Sequence, residues 1–330
     1  MAGVIARETE GMRLGKTAFT CPGQGSQAVG MGRDLADRFP EARAVFDEVD
    51  DALGEKLSTL MFDGPDDTLR LTENAQPALM AVSVAVVRVL AAQGVRLADH
   101  ADYVAGHSLG EYSALCAAGS FSLADAARLL RIRGRAMQQA VPVGEGAMAA
   151  ILGVDMATLR EICELSAQGQ VCDIANDNAP GQIVISGHLA AVERAMGLAK
   201  EKGAKRALAL PVSAPFHCRL MRPAAEAMQA ALGEARIVAP MVPLVANVTA
   251  RPVTEPDDIR RHLVAQVTGM VRWTESVGWL AGGGGVTRLV ELGSGKVLSG
   301  LARRIAPEVE AISIGTAADI DAFVARPTAQ

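Results

Sequence analysis

Apolar residues along the chain form short runs that alternate with longer amphipathic stretches. The runs Thr17–Cys21, Tyr103–Ala105 and Thr287–Glu291 are too short for helices and predict strands. The stretches Glu41–Asp51 and Asp67–Leu71 predict helices between them. This alternation of strands and helices is typical of an α/β fold.

The most apolar stretch of the chain runs from Pro77 to Leu90 and follows Gln76. It predicts a buried helix that starts at Pro77, because proline is well accommodated in the first turn of a helix. The stretch contains Arg88 and is too short to cross a bilayer. We therefore expect a soluble protein that does not bind membranes.

The pattern changes at Gly146, where six predicted elements follow in about 65 residues. They are the strand Met148–Leu152, the helix Met156–Ser166, the strand Val171–Ala175, the strand Gln182–Ser186, the helix Ala190–Lys202 and the strand Arg206–Leu210. The segment Asn176–Gly181 predicts the turn between the two middle strands. This order predicts a ferredoxin-like (βαββαβ) subdomain at residues 142–212, inserted between 16–141 and 213–330.

A helix predicted from Leu123 to Ala140, capped by Ser122, carries an arginine in an unusual position. Arg133 falls at the margin of its apolar face, where a guanidinium needs a partner. That partner is either an acidic side chain in a structural ion pair or the carboxylate of a substrate. Three further arginines lie on the opposite, polar face: Arg128, Arg131 and Arg135.

The strongest chemical signal is Gly106-His107-Ser108-Leu109-Gly110, in which two glycines flank a serine. A strand is predicted before it and a helix after it, which is the context of a nucleophile elbow. The glycines permit the sharp turn, and the first N–H groups of the helix face a developing oxyanion. The pattern alone also arises by chance, so the flanking elements carry the prediction.

Two loops supply the remaining candidate groups. The segment Pro211–Cys218 is bracketed by prolines and re-enters the larger unit with His217, a candidate base for Ser108. His107 belongs to the elbow and is expected to point away from the serine hydroxyl. The glycine-containing loop Pro22–Gln27 can present N–H groups to an oxyanion or to a phosphate.

Composition limits the classes of function. Of 330 residues, 50% are apolar, and the net charge of −5 argues against nucleic-acid binding. Five cysteines without a Cys-x-x-Cys pair argue against a disulfide framework or a metal site and favour a reducing cytoplasm. Residues 1–15 mix charges without an apolar core, so we expect a disordered extension rather than a signal peptide, or a start at Met12.

Several motifs occur together in one order and identify a family. They are Pro22–Gln27, Ala75–Leu79, Gly106–Tyr112, Arg133-Gly134, Asn178–Gln182, Ser213–Cys218 and Glu291–Leu298. With this set the chain resembles the malonyl-CoA:acyl carrier protein transacylases of bacterial type II fatty-acid synthesis, from about Lys16 to Ile305. The resemblance implies an α/β-hydrolase-like core that carries the ferredoxin-like subdomain.

The resemblance also implies roles for individual residues. It assigns Ser108 as nucleophile, His217 as base and the backbone carbonyl of Gln266 as the group that orients the histidine. The oxyanion hole would be formed by the N–H groups of Gln24 and Leu109, and the malonyl carboxylate would bind Arg133. Substrate binding is expected to involve Gln76, Asn178 and Phe216.

Phe216 departs from many stand-alone bacterial members, which have serine before the histidine. Phenylalanine there is similar to malonyl-selective domains of modular polyketide synthases, so the malonyl preference is unaffected. Ser294 replaces a common proline, which we expect to be harmless.

The family implies malonyl-CoA as substrate, no permanently bound cofactor and phosphopantetheine supplied on the carrier protein. Carrier proteins of this type are acidic, so docking requires a basic surface. One candidate is the arginine face of the 123–140 helix. The other is formed by Lys200, Lys202, Lys205 and Arg206. We expect a monomer.

Three other functions fit parts of the pattern. A trans-acting polyketide acyltransferase would use the same residues with another carrier. A serine thioesterase or esterase would require an acidic triad member, and Asp173 and Asp177 are poorly placed for this within the predicted subdomain. A non-catalytic scaffold would not need the complete set of serine, histidine and arginine.

Overall fold

The structure, a computed structural model, describes residues 15–326 and is a mixed α/β protein with two sheets and many helices. The predicted extension at residues 1–15 lies outside the described residues except for Gly15. The strands are β1 (Lys16–Cys21), β2 (Tyr103–Gly106), β3 (Gly146–Leu152), β4 (Cys172–Ala179), β5 (Gln182–His188), β6 (Arg206–Ala209), β7 (Leu244–Ala246), β8 (Arg251–Val253), β9 (Val271–Arg272), β10 (Val286–Leu292) and β11 (Glu310–Ile314). The helices are α1 (Arg33–Arg38), α2 (Pro40–Leu53), α3 (Leu57–Asp63), α4 (Asp66–Arg70), α5 (Thr72–Ala92), α6 (Leu97–His100), α7 (Gly110–Ala117), α8 (Leu123–Gln139), α9 (Met156–Ala167), α10 (Leu189–Glu201), α11 (Arg222–Glu234), α12 (Pro256–Thr268), α13 (Trp273–Ala281), α14 (Val297–Ile305) and α15 (Ala317–Val324).

The first sheet has the strand order β11-β10-β1-β2-β7-β8, and its pairs are parallel except for β7 with β8. Its inner strands are buried on both faces, as parallel strands covered by helices usually are. Cys21 of β1 pairs with Gly106 of β2, so both strands end at the same edge of the sheet. The loop after β1 and the turn after β2 therefore lie side by side.

Helix α5 runs through the core, and the predicted start of this helix is wrong. It begins at Thr72, so Pro77 lies inside the helix rather than in its first turn. The turn before the proline is held by burial and by a hydrogen bond from Gln76 Nε2 to Thr72 Oγ1 at 2.9 Å, which local propensity does not register. At 21 residues α5 is long enough and apolar enough to cross a membrane, but 83% of its most apolar window is buried inside the protein. Its burial is that of a core helix.

Helix α8 begins as predicted, but of the three arginines on its predicted polar face only Arg128 and Arg135 are exposed. Ser122 Oγ accepts the Asp125 N–H, which confirms the cap. Arg131, however, is only 6% exposed and is paired with Glu55 and Asn74. The prediction that Arg131 lies on the exposed face is wrong because its side chain is bonded to Glu55, just after α2, and to Asn74 of α5, two helices that pack against α8.

The second sheet has the order β6-β3-β5-β4-β9, and the elements from β3 to β6 follow the predicted sequence of types. Strand β4 extends to Ala179, so the turn predicted from Asn176 to Gly181 is wrong for its first residues. They are extended because Asn176 and Asp177 pair with β9, a strand contributed by the C-terminal part of the chain. This pairing joins the second sheet to the rest of the molecule.

Each of the two sheets packs against its own helices through a separate apolar cluster. One cluster fills the space between the first sheet and helices α2, α5, α8 and α11, and includes Phe46 and Tyr112. A smaller cluster lies between the second sheet and helices α9 and α10, and includes Ile151 and Ile185. The cleft between the two sheets contains the candidate site described next.

Candidate active site

The serine elbow lies at the carboxyl end of β2, where the chain turns sharply into α7. Ser108 adopts a φ of 55°, a left-handed conformation that is unusual for a residue with a side chain. A Cβ on Gly106 would lie 1.9 Å from the carbonyl carbon of Gly110, and a Cβ on Gly110 would lie 2.3 Å from Cys21 O. Both positions therefore require glycine, as the nucleophile-elbow prediction assumes.

His217 is within hydrogen-bonding distance of the serine. Ser108 Oγ lies 2.7 Å from His217 Nε2, and His217 Nδ1 lies 2.9 Å from the backbone carbonyl of Gln266. Because a carbonyl only accepts, Nδ1 carries the proton and Nε2 is free to accept from the serine hydroxyl. Burial, and secondly the charge of Arg133, lower the pKa of His217 to about 3. The imidazole is therefore neutral, the form that acts as a base.

Arg133 points into the same site from α8 and is only 1% exposed. Its Nη2 donates to Ser108 Oγ at 3.1 Å and to Gln266 Oε1 at 2.8 Å, and its Nη1 donates to Gln76 Oε1 at 2.7 Å. The Tyr112 ring lies 5.8 Å from the guanidinium carbon. Burial lowers the pKa of Arg133, yet between residues 15 and 326 no carboxylate pairs with it directly and its Nε has no partner. The described residues therefore do not support the first hypothesis for Arg133, a structural ion pair with an acidic side chain.

A layer of buried polar side chains supports the elbow from below, and sequence reasoning did not identify it. Asn247 Oδ1 accepts the Ser108 N–H at 2.8 Å, and its Nδ2 donates to Gly106 O at 2.7 Å. Gln266 Nε2 donates to Ser108 O at 2.9 Å, and Glu111 accepts from both Gln266 Nε2 and the Asn247 N–H. The only sequence signal for Asn247 is its place directly after β7, the strand beside β2.

The two groups predicted to form an oxyanion hole, the N–H groups of Gln24 and Leu109, belong to residues that line the cavity at the serine. Within the described part of the chain, neither N–H donates to another protein group. Leu109 directly precedes α7, so its N–H points away from the helix body. The Gln24 side chain is held by Thr72, which is itself bonded to Gln76.

The cavity in front of the serine has a volume of about 310 Å³ and lies between the two sheets. All three residues predicted to bind substrate, Gln76, Asn178 and Phe216, line it. Met148 and Val184 contribute apolar walls from the second sheet. The site is therefore a cleft to which both parts of the chain contribute.

His107, the other histidine of the elbow, contacts a different residue. Its Nε2 lies 2.8 Å from Asn178 Oδ1, and its ring lies 5.6 Å from that of Trp273. Burial lowers the pKa of His107, so its ring is also neutral. His107 therefore joins the elbow to β4, while His217 contacts the serine hydroxyl.

The sequence of this chain matches a family of known proteins. The model of the acyl transferase domain family matches residues 18–285. The malonyl CoA-acyl carrier protein transacylase of Escherichia coli strain K12 is 49% identical over 297 residues, which are 90% of this chain and 95% of that protein.

Solved structures agree with this similarity. An acyl-carrier-protein S-malonyltransferase from Bartonella henselae superposes with a TM-score of 0.92 at 59% identity, covering 94% of this chain and 98% of that one. A malonyl-transacylase in complex with a type II polyketide-synthase acyl-carrier protein superposes with a TM-score of 0.90 at 43% identity, covering 94% and 99%. The family resemblance is thereby confirmed, and the chain belongs to the malonyl CoA-acyl carrier protein transacylase family.

Proposed function

We propose that the chain transfers a malonyl group from malonyl-CoA to the phosphopantetheine thiol of an acyl carrier protein, through a malonyl-serine intermediate, and so supplies fatty-acid elongation. The observation that carries this proposal is the buried guanidinium of Arg133, whose Nη2 lies 3.1 Å from Ser108 Oγ and which has no carboxylate partner among the described residues. A malonyl thioester has one methylene between its reacting carbonyl and its free carboxylate. Its carboxylate therefore fits this cation when its carbonyl is at the serine.

In the first half-reaction His217 Nε2 accepts the proton of Ser108 as Oγ attacks the thioester carbonyl. The N–H groups of Gln24 and Leu109 stabilise the negative charge that develops on the carbonyl oxygen. The C–S bond then breaks, and CoA leaves as a thiol with the proton that His217 returns. The product is a malonyl ester of Ser108.

In the second half-reaction the thiol of the carrier's phosphopantetheine takes the place of CoA. His217 accepts its proton, the sulfur attacks the ester carbonyl, and the C–O bond to Ser108 Oγ breaks as the proton passes to the serine. The two substrates react in turn, so the kinetics are ping-pong. The cleft between the two sheets and the ion pair of the malonyl carboxylate with Arg133 keep water from the ester.

The remaining cavity residues have supporting roles in this proposal. Gln76 holds Nη1 of Arg133 from behind, and so directs its free N–H groups toward the acyl group. Phe216 is 8% exposed and provides an apolar wall beside the base. Asn178 contributes a polar wall on the side of the second sheet. No permanently bound cofactor is required, because the carrier protein brings its own phosphopantetheine.

The carrier is proposed to dock on the second sheet rather than on α8. Lys200, Lys202, Lys205 and Arg206 are all exposed at the end of α10 and the start of β6. On α8, by contrast, Arg131 is buried. A relative of known structure binds an acyl-carrier protein, which supports a carrier as the partner here. Charge reversal at these four exposed residues should raise KM for the carrier far more than KM for malonyl-CoA.

The architecture we propose is an α/β-hydrolase-like core at 16–141 and 213–330, with a ferredoxin-like subdomain at 142–212. The parallel order around β1 and β2, with the nucleophile after a central strand, supports the first assignment. The antiparallel order β6-β3-β5-β4 supports the second. We further propose a cytoplasmic monomer that binds neither nucleic acid nor membranes, consistent with its net charge and its free cysteines.

A trans-acting polyketide acyltransferase is the second candidate, favoured by the similarity to a malonyl-transacylase bound to a polyketide carrier. It differs only in the carrier that accepts the malonyl group. A thioesterase is less well supported, because Gln266 O, and not an acidic side chain, contacts His217 Nδ1. Asp173 is bonded to Arg219 instead.

The proposal is tested by intact mass after brief exposure to malonyl-CoA or to acetyl-CoA. We expect a stable gain of one malonyl group that is absent in Ser108→Ala and weak with acetyl-CoA. Addition of holo carrier should then remove the adduct and malonylate the carrier. Steady release of CoA without an adduct would identify a thioesterase, and carriers from fatty-acid and polyketide synthesis would separate the two transferase functions.

A further inference from the structure

A buried carboxylate lies directly beneath the nucleophile, and the mechanism above does not use it. Glu111 is 1% exposed and belongs to the first turn of α7. Its Oε1 accepts the Asn247 N–H at 2.6 Å, and its Oε2 accepts from Gln266 Nε2. An acidic side chain is rarely buried so completely without a specific partner. What it contacts is therefore informative.

The Gln266 amide joins this carboxylate to the substrate cation. Its nitrogen faces Glu111 and Ser108 O, and its oxygen accepts from Arg133 Nη2 at 2.8 Å. The chain of contacts runs from carboxylate through amide to guanidinium, wholly inside the protein. Only the side chain of Gln266 takes part, because its backbone carbonyl is bonded separately to His217.

The direction of every hydrogen bond in this chain depends on Glu111. An ionised carboxylate only accepts, so Gln266 must present its NH₂ to it and its oxygen to Arg133. In Glu111→Gln the side-chain NH₂ would face either the Asn247 N–H or the Gln266 NH₂. In both orientations two hydrogen-bond donors would face each other. If Gln266 then rotated to relieve the conflict, its NH₂ would face Arg133, which is also a donor.

We propose that Glu111, as a carboxylate, is a positioning residue that sets the orientation of the Gln266 amide and thereby holds Arg133 in place for the malonyl carboxylate. This rests on the proposed function, since it concerns the recognition of the same acyl group. Glu111 does not touch the substrate and acts only through Gln266. When ionised, it also places a negative charge behind the buried guanidinium of Arg133.

Burial and the neighbouring groups act in opposite directions on the ionisation of Glu111. Burial raises the pKa of Glu111 to about 8, while the hydrogen bonds from Asn247 and Gln266, and then the charge of Arg133, lower it. The selectivity assay is therefore run at about pH 8.5, where the carboxylate form is present in quantity.

The experiment compares Glu111→Gln with a matched variant, Glu291→Gln, in single-turnover acylation by malonyl-CoA and by acetyl-CoA. Glu291 is also 1% exposed, and it accepts the N–H groups of Leu298 and Ser299 at the start of α14, away from Arg133. The measured quantity is the ratio of the two acylation rates. We expect Glu111→Gln to lower the malonyl preference about 10-fold to 100-fold, as loss of one well-placed charge-assisted hydrogen bond does. Glu291→Gln should leave the ratio unchanged.

Two further variants show whether Glu111 acts through Arg133. In an Arg133→Met background, Glu111→Gln should change the malonyl preference no further, because the group it positions is gone. Gln266→Met keeps the backbone carbonyl that holds His217 but breaks the chain of contacts, and it should lower the ratio of malonyl to acetyl acylation. This variant replaces the first test if Glu111→Gln does not fold.

An unchanged ratio in folded Glu111→Gln, or in Gln266→Met if the former does not fold, would overturn the inference. An equal fall of the ratio in the Arg133→Met background would do so too. Failure of the wild-type protein to form a malonyl adduct would instead overturn the proposed function. The two failures are thus distinguishable in one set of measurements.

Discussion

Replacement of Arg133 by methionine tests the proposed basis of acyl selectivity. Methionine approximates the length of the arginine stem but has no charge and no donor. In the structure Gln76 and Gln266 each engage one N–H of the guanidinium, on Nη1 and Nη2 respectively. Each of these nitrogens keeps a second N–H, and that of Nη2 donates to Ser108 Oγ at 3.1 Å. The second N–H of Nη1 and the Nε–H, which has no partner among the described residues, are therefore the two N–H groups left for the substrate carboxylate.

The expected magnitude follows from those two groups. A hydrogen bond to a charged group contributes about 1.5–3 kcal/mol, so two contribute about 3–6 kcal/mol. Since about 1.36 kcal/mol corresponds to a tenfold change in rate, acylation by malonyl-CoA should fall about 10²-fold to 10⁴-fold. Acetyl-CoA has no carboxylate to lose, so its acylation of Ser108 should change by less than about tenfold. The assay is intact-mass detection of the acyl-enzyme in a single turnover.

A second buried arginine on the same helix supplies the control. Arg131 is 6% exposed, but it is bonded to Glu55 and Asn74 and does not line the cavity. Arg131→Met should lower the free energy of unfolding, because it leaves acceptors without a donor, and should keep the malonyl preference. If Arg133→Met lowered malonyl and acetyl acylation by the same factor, the carboxylate-clamp reasoning would be refuted.

Three further predictions concern stability. Because burial and Arg133 lower the pKa of His217 from 6.5 to about 3, the unfolded chain binds one more proton between these values, and stability should fall as the pH drops from about 6.5. His217→Asn removes this difference in bound protons. The free energy of unfolding, measured with urea across that pH range, should therefore depend less steeply on pH, by up to about 1.4 kcal/mol per pH unit; an equal pH dependence in variant and wild type would contradict the burial argument. Gly106→Ala should abolish acylation and cost about 1–3 kcal/mol or more, because its Cβ would meet the Gly110 backbone at 1.9 Å. Gly300→Ala, whose Cβ meets nothing within 4 Å inside α14, should instead stabilise the protein by about 0.5–1 kcal/mol in the same unfolding assay, and a loss of stability there would contradict the open space at this position.

Some local predictions failed where packing outweighed propensity. Pro77 was expected to begin a helix, but the buried turn before it is helical as well. The asparagine-rich segment at Asn176 was expected to turn, but a strand from distant sequence pairs with it and keeps it extended. Arg131 is predicted at the surface, but it is buried and bonded to Glu55 and Asn74. In each case the deciding partner is far away in the sequence, where neither periodicity nor turn propensity registers it.

Local sequence was sufficient for the chemical groups of the site and for their immediate geometry. The glycine–serine–glycine spacing after a strand indicates the elbow because the turn depends on residues only two positions apart. The cap at Ser122 is equally local, and the ordered motifs identify the family. Long-range folding alone brings His217, 109 residues away, to 2.7 Å from Ser108 Oγ. It likewise places Asn247 and Glu111, 136 residues apart, under the nucleophile. These contacts depend on burial, which creates the need for a partner, and only the packed chain determines which group satisfies it.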